Sequence, residues 1–69
     1  MLKLSERLVS LRKERKLTQE DTAKDLELGL RTYCRYEKGE REPTASVLVQ
    51  IADYYNVSLD YLAGRSEER

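Results

Sequence analysis

Residues 17–39 read LTQEDTAKDLELGLRTYCRYEKG, two short helical patterns separated by a three-residue break. Thr18 is placed to cap the first: its hydroxyl can accept from a free amide of the opening turn, and Glu20 and Asp21 follow where the helix dipole favours negative charge. That helix is expected over about 19–26. Glu27, Leu28 and Gly29 interrupt it, and a second helix is expected over 30–38, with Gly39 as its left-handed cap. The turn between them is too tight for the helices to lie side by side.

On the second helix Arg31, Cys34, Arg35 and Lys38 recur at i, i+3, i+4 and i+7 and share one face, whereas Tyr33 and Tyr36 point the other way. An apolar back and a basic front are what a helix needs to read the DNA major groove from a scaffold. At this point the chain resembles the Cro/C1-type helix-turn-helix regulators of phages and bacteria. The resemblance covers residues 5–65 and is carried by Leu17-Thr18-Gln19-Glu20, Ala23, Arg35-Tyr36-Glu37-Lys38-Gly39, Arg41-Glu42-Pro43-Thr44 and Val57-Ser58-Leu59-Asp60-Tyr61-Leu62, whose order and spacing count together. It implies an all-α fold, a five-helix lambda-repressor-like DNA-binding domain in which the second and third helices form the helix-turn-helix.

Composition sets bounds around that stretch. With 69 residues there is room for one small domain, so each helix has to contribute an apolar face. Hydrophobic residues make up 39% and charged residues 38%, as expected of a helical globular domain with a heavily charged surface. No apolar run approaches the roughly 20 residues of a membrane span, and Lys3, Glu6 and Arg7 interrupt the opening residues where a secretory core would lie. A cytoplasmic protein without membrane association is expected. The single Cys34 and the absence of histidine argue against an intramolecular disulfide, a zinc set or a Ser-His or Cys-His catalytic pair, so neither metal, cofactor nor enzyme activity is expected. Cys34 itself reads as a small filler side chain.

A net charge of zero weighs against binding to a polyanion, but the charge is polarised. Residues 1–16 carry six basic and two acidic side chains, residues 17–45 five and seven, and residues 46–69 two and four.

Upstream of the motif, Ser5 reads as the cap of a first helix over about 5–15, with Leu4, Leu8 and Leu11 as its apolar stripe and Lys13 and Lys16 facing out. Arg12 and Glu37 each sit at a core edge, and a charge there would be partly desolvated without a partner. A bidentate, largely buried Arg12–Glu37 ion pair is expected, and the resemblance implies the same pairing. Residues 40–43 form a loop. Thr44 caps a helix over 45–55 whose stripe is Val47, Leu48, Ile51, Ala52 and Tyr55, and Asn56 ends it. Ser58 caps a last helix over 59–63, with Val57 able to pack on Leu62, and Gly64 stops it. The domain is expected over residues 1–64, with 65–69 as a frayed tail.

The interface residues follow. Arg31, facing out near the start of the second motif helix, can donate two hydrogen bonds to a guanine, or remain a solvated charge. The resemblance gives Arg35 a base or phosphate contact. Leu30 has two readings, core packing and contact with a thymine methyl, and Thr32 flanks the basic face, either as a neutral surface residue or within reach of a base or phosphate. Gln19 is implied by the resemblance to donate to a phosphate and brace the reading helix. Lys38 and Arg41 are further phosphate candidates, a plain solvated charge being equally open for Arg41. The resemblance also implies a homodimer on an inverted-repeat operator of double-stranded DNA, its reading helices about 34 Å apart. Leu59, Tyr61 and Leu62 are the candidate dimer interface, against a role for Leu59 and Leu62 in closing the core. With no residues after Arg69 to add an oligomerisation domain, dimerisation is expected to be weak and coupled to the operator.

The chain departs from the family pattern at Glu27, where glycine is usual, so that either the turn is reshaped around Gly29 or Glu27 is strained; at Gly29, where Ser or Thr usually caps; at Thr22, where an apolar residue is common; and at Glu40 and Glu42, where basic residues are common. The function implied is a sequence-specific transcriptional regulator, a repressor that occupies a promoter. A protein-interaction module of the same fold is the competing reading, favoured by zero net charge and the acidic loop and opposed by the Arg31, Arg35 and Lys38 face.

Overall fold

Five helices, and among the described residues no strand, form the computed structural model, which describes residues 3–69. Met1 and Leu2, at the start of the span expected for the domain, lie outside the described residues. The helices are α1 (Leu4–Glu14), α2 (Gln19–Asp25), α3 (Leu30–Lys38), α4 (Ala45–Tyr55) and α5 (Leu59–Ala63). Three of them start on a hydroxyl cap. Thr18 Oγ1 accepts from the Asp21 amide at 3.0 Å while Asp21 Oδ2 accepts from the Thr18 amide at 3.1 Å, a reciprocal capping box that opens α2. Thr44 accepts from the Val47 amide at 3.3 Å, and Ser58 from the Tyr61 amide at 2.9 Å. Ser5 differs from its expected role. Lys3 holds the cap position of α1 without a side-chain bond, because Leu4 belongs on the helical stripe with Leu8 and Leu11 and all three are buried. At the other ends Gly39, Asn56 and Gly64 reverse the chain in the left-handed conformation.

The core joins one face of every helix: Leu4, Leu8 and Leu11 from α1, Ala23 from α2, Tyr33 and Tyr36 from α3, Ile51, Ala52 and Tyr55 from α4, and Tyr61 and Leu62 from α5. Val47, Leu48 and Val57 pack against its edge. Thr22 takes an apolar place at no polar cost, since its hydroxyl is fully buried and donates to the Thr18 carbonyl at 3.2 Å. Arg15 closes α4 from α1, its guanidinium donating to the Tyr54 and Tyr55 carbonyls at 3.1 and 2.8 Å.

Residues 65–69 are not the frayed tail expected. They fold back over α1 and α5 because Arg7, buried on the core side of α1, needs acceptors. Its guanidinium donates to the Ser66 carbonyl at 2.6 Å and to the Tyr61 carbonyl, and stands 4.0 Å from the Tyr61 ring centre. Arg69 lies over the same ring at 5.3 Å and pairs with Glu14, while the Ser58 amide donates to the Arg69 carbonyl at 2.7 Å.

Candidate nucleic-acid interface

The α2–α3 turn settles how α3 is presented. The Leu28 amide donates to the Ala23 carbonyl at 2.8 Å, which requires a left-handed residue between them, and Glu27 supplies it with φ 58°. The strain at this non-glycine position is roughly 1–2 kcal/mol. Gly29 is not the site of reversal. It is extended, with φ −64° and ψ 142°, and opens α3 as a cap without a side-chain acceptor.

The inner face of α3 is locked by Tyr33, Tyr36 and Glu37, all buried. Arg12 meets Glu37 with both ends of the fork, Nε to Oε2 at 2.7 Å and Nη2 to Oε1 at 3.1 Å, and its third nitrogen donates to the Leu17 carbonyl at 2.9 Å. The side chains are 14% and 3% exposed. Gln19 Nε2 also donates to Glu37 Oε1, at 3.1 Å, so one carboxylate ties α1, α2 and α3 together. Burial pushes this carboxyl up, but the hydrogen bonds from Arg12 and Gln19 and the arginine's charge outweigh burial and hold it below the ordinary carboxylate range.

The outer face is what remains. Arg31 and Lys38 are exposed, and Thr32, Cys34 and Arg35 are half-buried between them. Leu30 is 44% exposed, which removes its core-packing reading; Leu28 takes the place at the core edge instead. Arg35 Nε is 3.9 Å from Glu40 Oε1. Arg41 is exposed beside α3 and lines a cleft with Leu4, Ser5, Tyr36, Gly39 and Glu42. The structure thus gathers Gln19, Arg31, Thr32, Arg35 and Lys38 on and beside α3, with Arg41 in the following loop.

The candidate dimer residues separate. Leu62 is fully buried and Tyr61, under Arg7 and Arg69, is 9% exposed, so both serve the core and neither offers a surface; Leu59 is 46% exposed. Val49, equally exposed, was not singled out by the sequence because it falls beside the α4 stripe without breaking its period. The Arg7–Tyr61–Arg69 stack was also missed, and its one sequence signal is a charge at position 7 between Leu4 and Leu8. Among the described residues no group of side chains could hold a metal ion, and no helix is long and apolar enough to cross a membrane.

Two short helices at a tight turn, the second clamped by its glutamate and bare on its basic side, define a helix-turn-helix domain. A helix-turn-helix family model matches residues 8–62, and the chain belongs to that family, of the Cro/C1 type. It is 44% identical over 66 residues to an uncharacterized HTH-type transcriptional regulator, YqaE, of Bacillus subtilis, covering 94% of this chain and 57% of that protein. Over 64 residues it is 42% identical to the cryptic phage CTXphi transcriptional repressor RstR of Vibrio cholerae, covering 93% and 57%. A transcriptional regulator from Listeria innocua superposes with a TM-score of 0.84 at 33% identity, covering 96% of this chain and 62% of that one. The chain therefore spans little more than half the length of the curated relatives it matches.

Proposed function

We propose that this domain binds double-stranded DNA in the cytoplasm as a sequence-specific transcriptional regulator, a repressor with α3 in the major groove. The observation that carries the reading is the division of α3: Tyr33, Tyr36 and Glu37 are spent on the core, and Arg31, Arg35 and Lys38 are left on the outside. Arg31 near the helix start is the base reader, able to meet guanine O6 and N7 together. Leu30 and Thr32 flank it, Leu30 suited to a thymine methyl. Arg35 follows one turn later. Gln19 positions: an amide nitrogen carries two hydrogens, and with one on Glu37 the second is available to a phosphate oxygen. Lys38 and Arg41 add phosphate contacts at the far end. Relatives that are regulators and a phage repressor support the same reading.

A single domain of this size reads few base pairs, so a twofold dimer on an inverted repeat is the operative form, with exposed Leu59 part of its interface. Selection from a random duplex library at fixed, near-physiological salt tests the proposal, with wild type and Arg31→Ala side by side. Wild type is expected to enrich an inverted repeat with half-sites about one helical turn apart, and Arg31→Ala to relax one symmetric position. Enrichment of nothing beyond nonspecific binding, roughly 10⁻⁴–10⁻⁶ M, sinks the proposal and favours a protein partner.

A further inference from the structure

Gly39 ends α3 with a left-handed reversal that lets the Glu40 amide donate back to the Arg35 carbonyl at 3.0 Å. Glu40 is therefore fastened by its own backbone to the residue in the middle of the basic face. Its carboxylate lies 3.9 Å from Arg35 Nε, too far for a hydrogen bond but within reach of a charge, and both side chains are about half exposed. Among the described residues no carboxylate comes within ion-pair distance of Arg31 or Lys38. The acidic contact falls on one arginine of the three outward cations.

From this placement we infer that Glu40 is a built-in competitor of DNA for Arg35, an element of affinity control that rests on the DNA-binding reading above. In the free domain the carboxylate stands close to the guanidinium that a phosphate or a base edge would approach. Docking on a duplex has to separate the two, and then holds Glu40 beside the negative backbone. Both effects discount binding, and only the first, the competition, depends on Arg35. They are electrostatic between solvated groups, so they are largest at low salt and fade as salt rises. Bulk charge alone would act through every arginine and lysine; competition acts through Arg35.

That difference gives the test. Binding of a random-sequence duplex is followed by fluorescence anisotropy at about 50 mM and about 200 mM salt for wild type, Glu40→Gln, Arg35→Ala and the double variant, with Glu20→Gln, at an exposed position on α2, as an acidic control in both backgrounds. Thermal melts verify that each variant is folded. At the lower salt Glu40→Gln is expected to tighten binding about threefold to tenfold, and in the Arg35→Ala background by less than about twofold. Glu20→Gln is expected to give equal gains in both backgrounds. Equal gains for Glu40→Gln with and without Arg35 overturn the inference, as does weaker binding by Glu40→Gln, which would make Glu40 a positioning residue. If wild type and every variant fail to bind at the lower salt, the DNA-binding reading itself is lost, and the inference with it.

Discussion

Glu37 is where a single side chain matters most. Its carboxylate is nearly sealed from water, yet it stays ionised below its ordinary range because Arg12 and Gln19 donate to it. Removing either member of the pair strands a charge, so Arg12→Ala or Glu37→Ala is expected to cost roughly 3–5 kcal/mol. The double variant should cost well under the sum in denaturant melts, and an additive result would dissolve the coupling. The same depression fixes the pH response. A carboxyl lower in the folded than in the unfolded state contributes stability above the unfolded value, about 4.3 for glutamate, and loses it as pH falls through the folded one. Acid melts of wild type should therefore lose stability below about pH 4.3, with a flatter profile in Glu37→Gln. Two opposite charges, each at a core edge on facing helices, made positions 12 and 37 legible. The bond from Gln19 to Glu37 was not, because a glutamine at a helix start says nothing about which way the neighbouring helix is rotated.

At the level of elements, the helix-turn-helix is held by one good cap and one poor turn. Thr18 and Asp21 satisfy each other's amides, and Thr18→Ala is expected to lower stability by about 1 kcal/mol. Glu27 carries the left-handed turn against its side chain. Glu27→Gly should relieve that strain, offset in part by the flexibility glycine adds to the unfolded chain, for a net gain of up to about 1 kcal/mol. At Gly29 a new Cβ would meet the Thr32 hydroxyl at 3.9 Å, an ordinary contact, and φ is negative. Gly29→Ser should thus add a few tenths of a kcal/mol through a restored cap. Chemical denaturation distinguishes the two, and a loss from Glu27→Gly would mean its side chain has a role the strain argument omits. Helix starts at Thr18, Thr44 and Ser58 were readable because hydroxyls before periodic runs have few other uses. The start of α1 was not, because packing of Leu4 overrode the hydroxyl at Ser5. Nor could the sequence choose between reversal at Glu27 and at Gly29, since glycine is free to reverse a chain wherever it stands.

Across the whole molecule, the unexpected part is the return of residues 65–69 over α1 and α5. Its polar composition suggested fraying; the burial of Arg7, the Arg69–Glu14 pair and the bond from the Ser58 amide to the Arg69 carbonyl explain why it stays. Deleting residues 65–69 removes the Ser66 carbonyl from a buried guanidinium and is expected to cost about 1–3 kcal/mol. In a domain of this size each kcal/mol is worth about 4–8 °C in Tm. An unchanged melt would assign the strap no structural weight. The candidate dimer residues were least legible, because Leu59 and Leu62 look alike in sequence and only helix rotation sends one outward and the other to the centre. The strap also closes contacts more than 50 residues apart, between Arg7 and Ser66 and between Glu14 and Arg69. By contrast α3 packs on α1 and α2, which directly precede it. Domains rich in local helical contacts fold in microseconds to milliseconds, and the long closure is expected to form after the rate-limiting barrier. The strap is then a kinetic lock: losing it should leave the refolding rate nearly unchanged and hasten the escape from the native state.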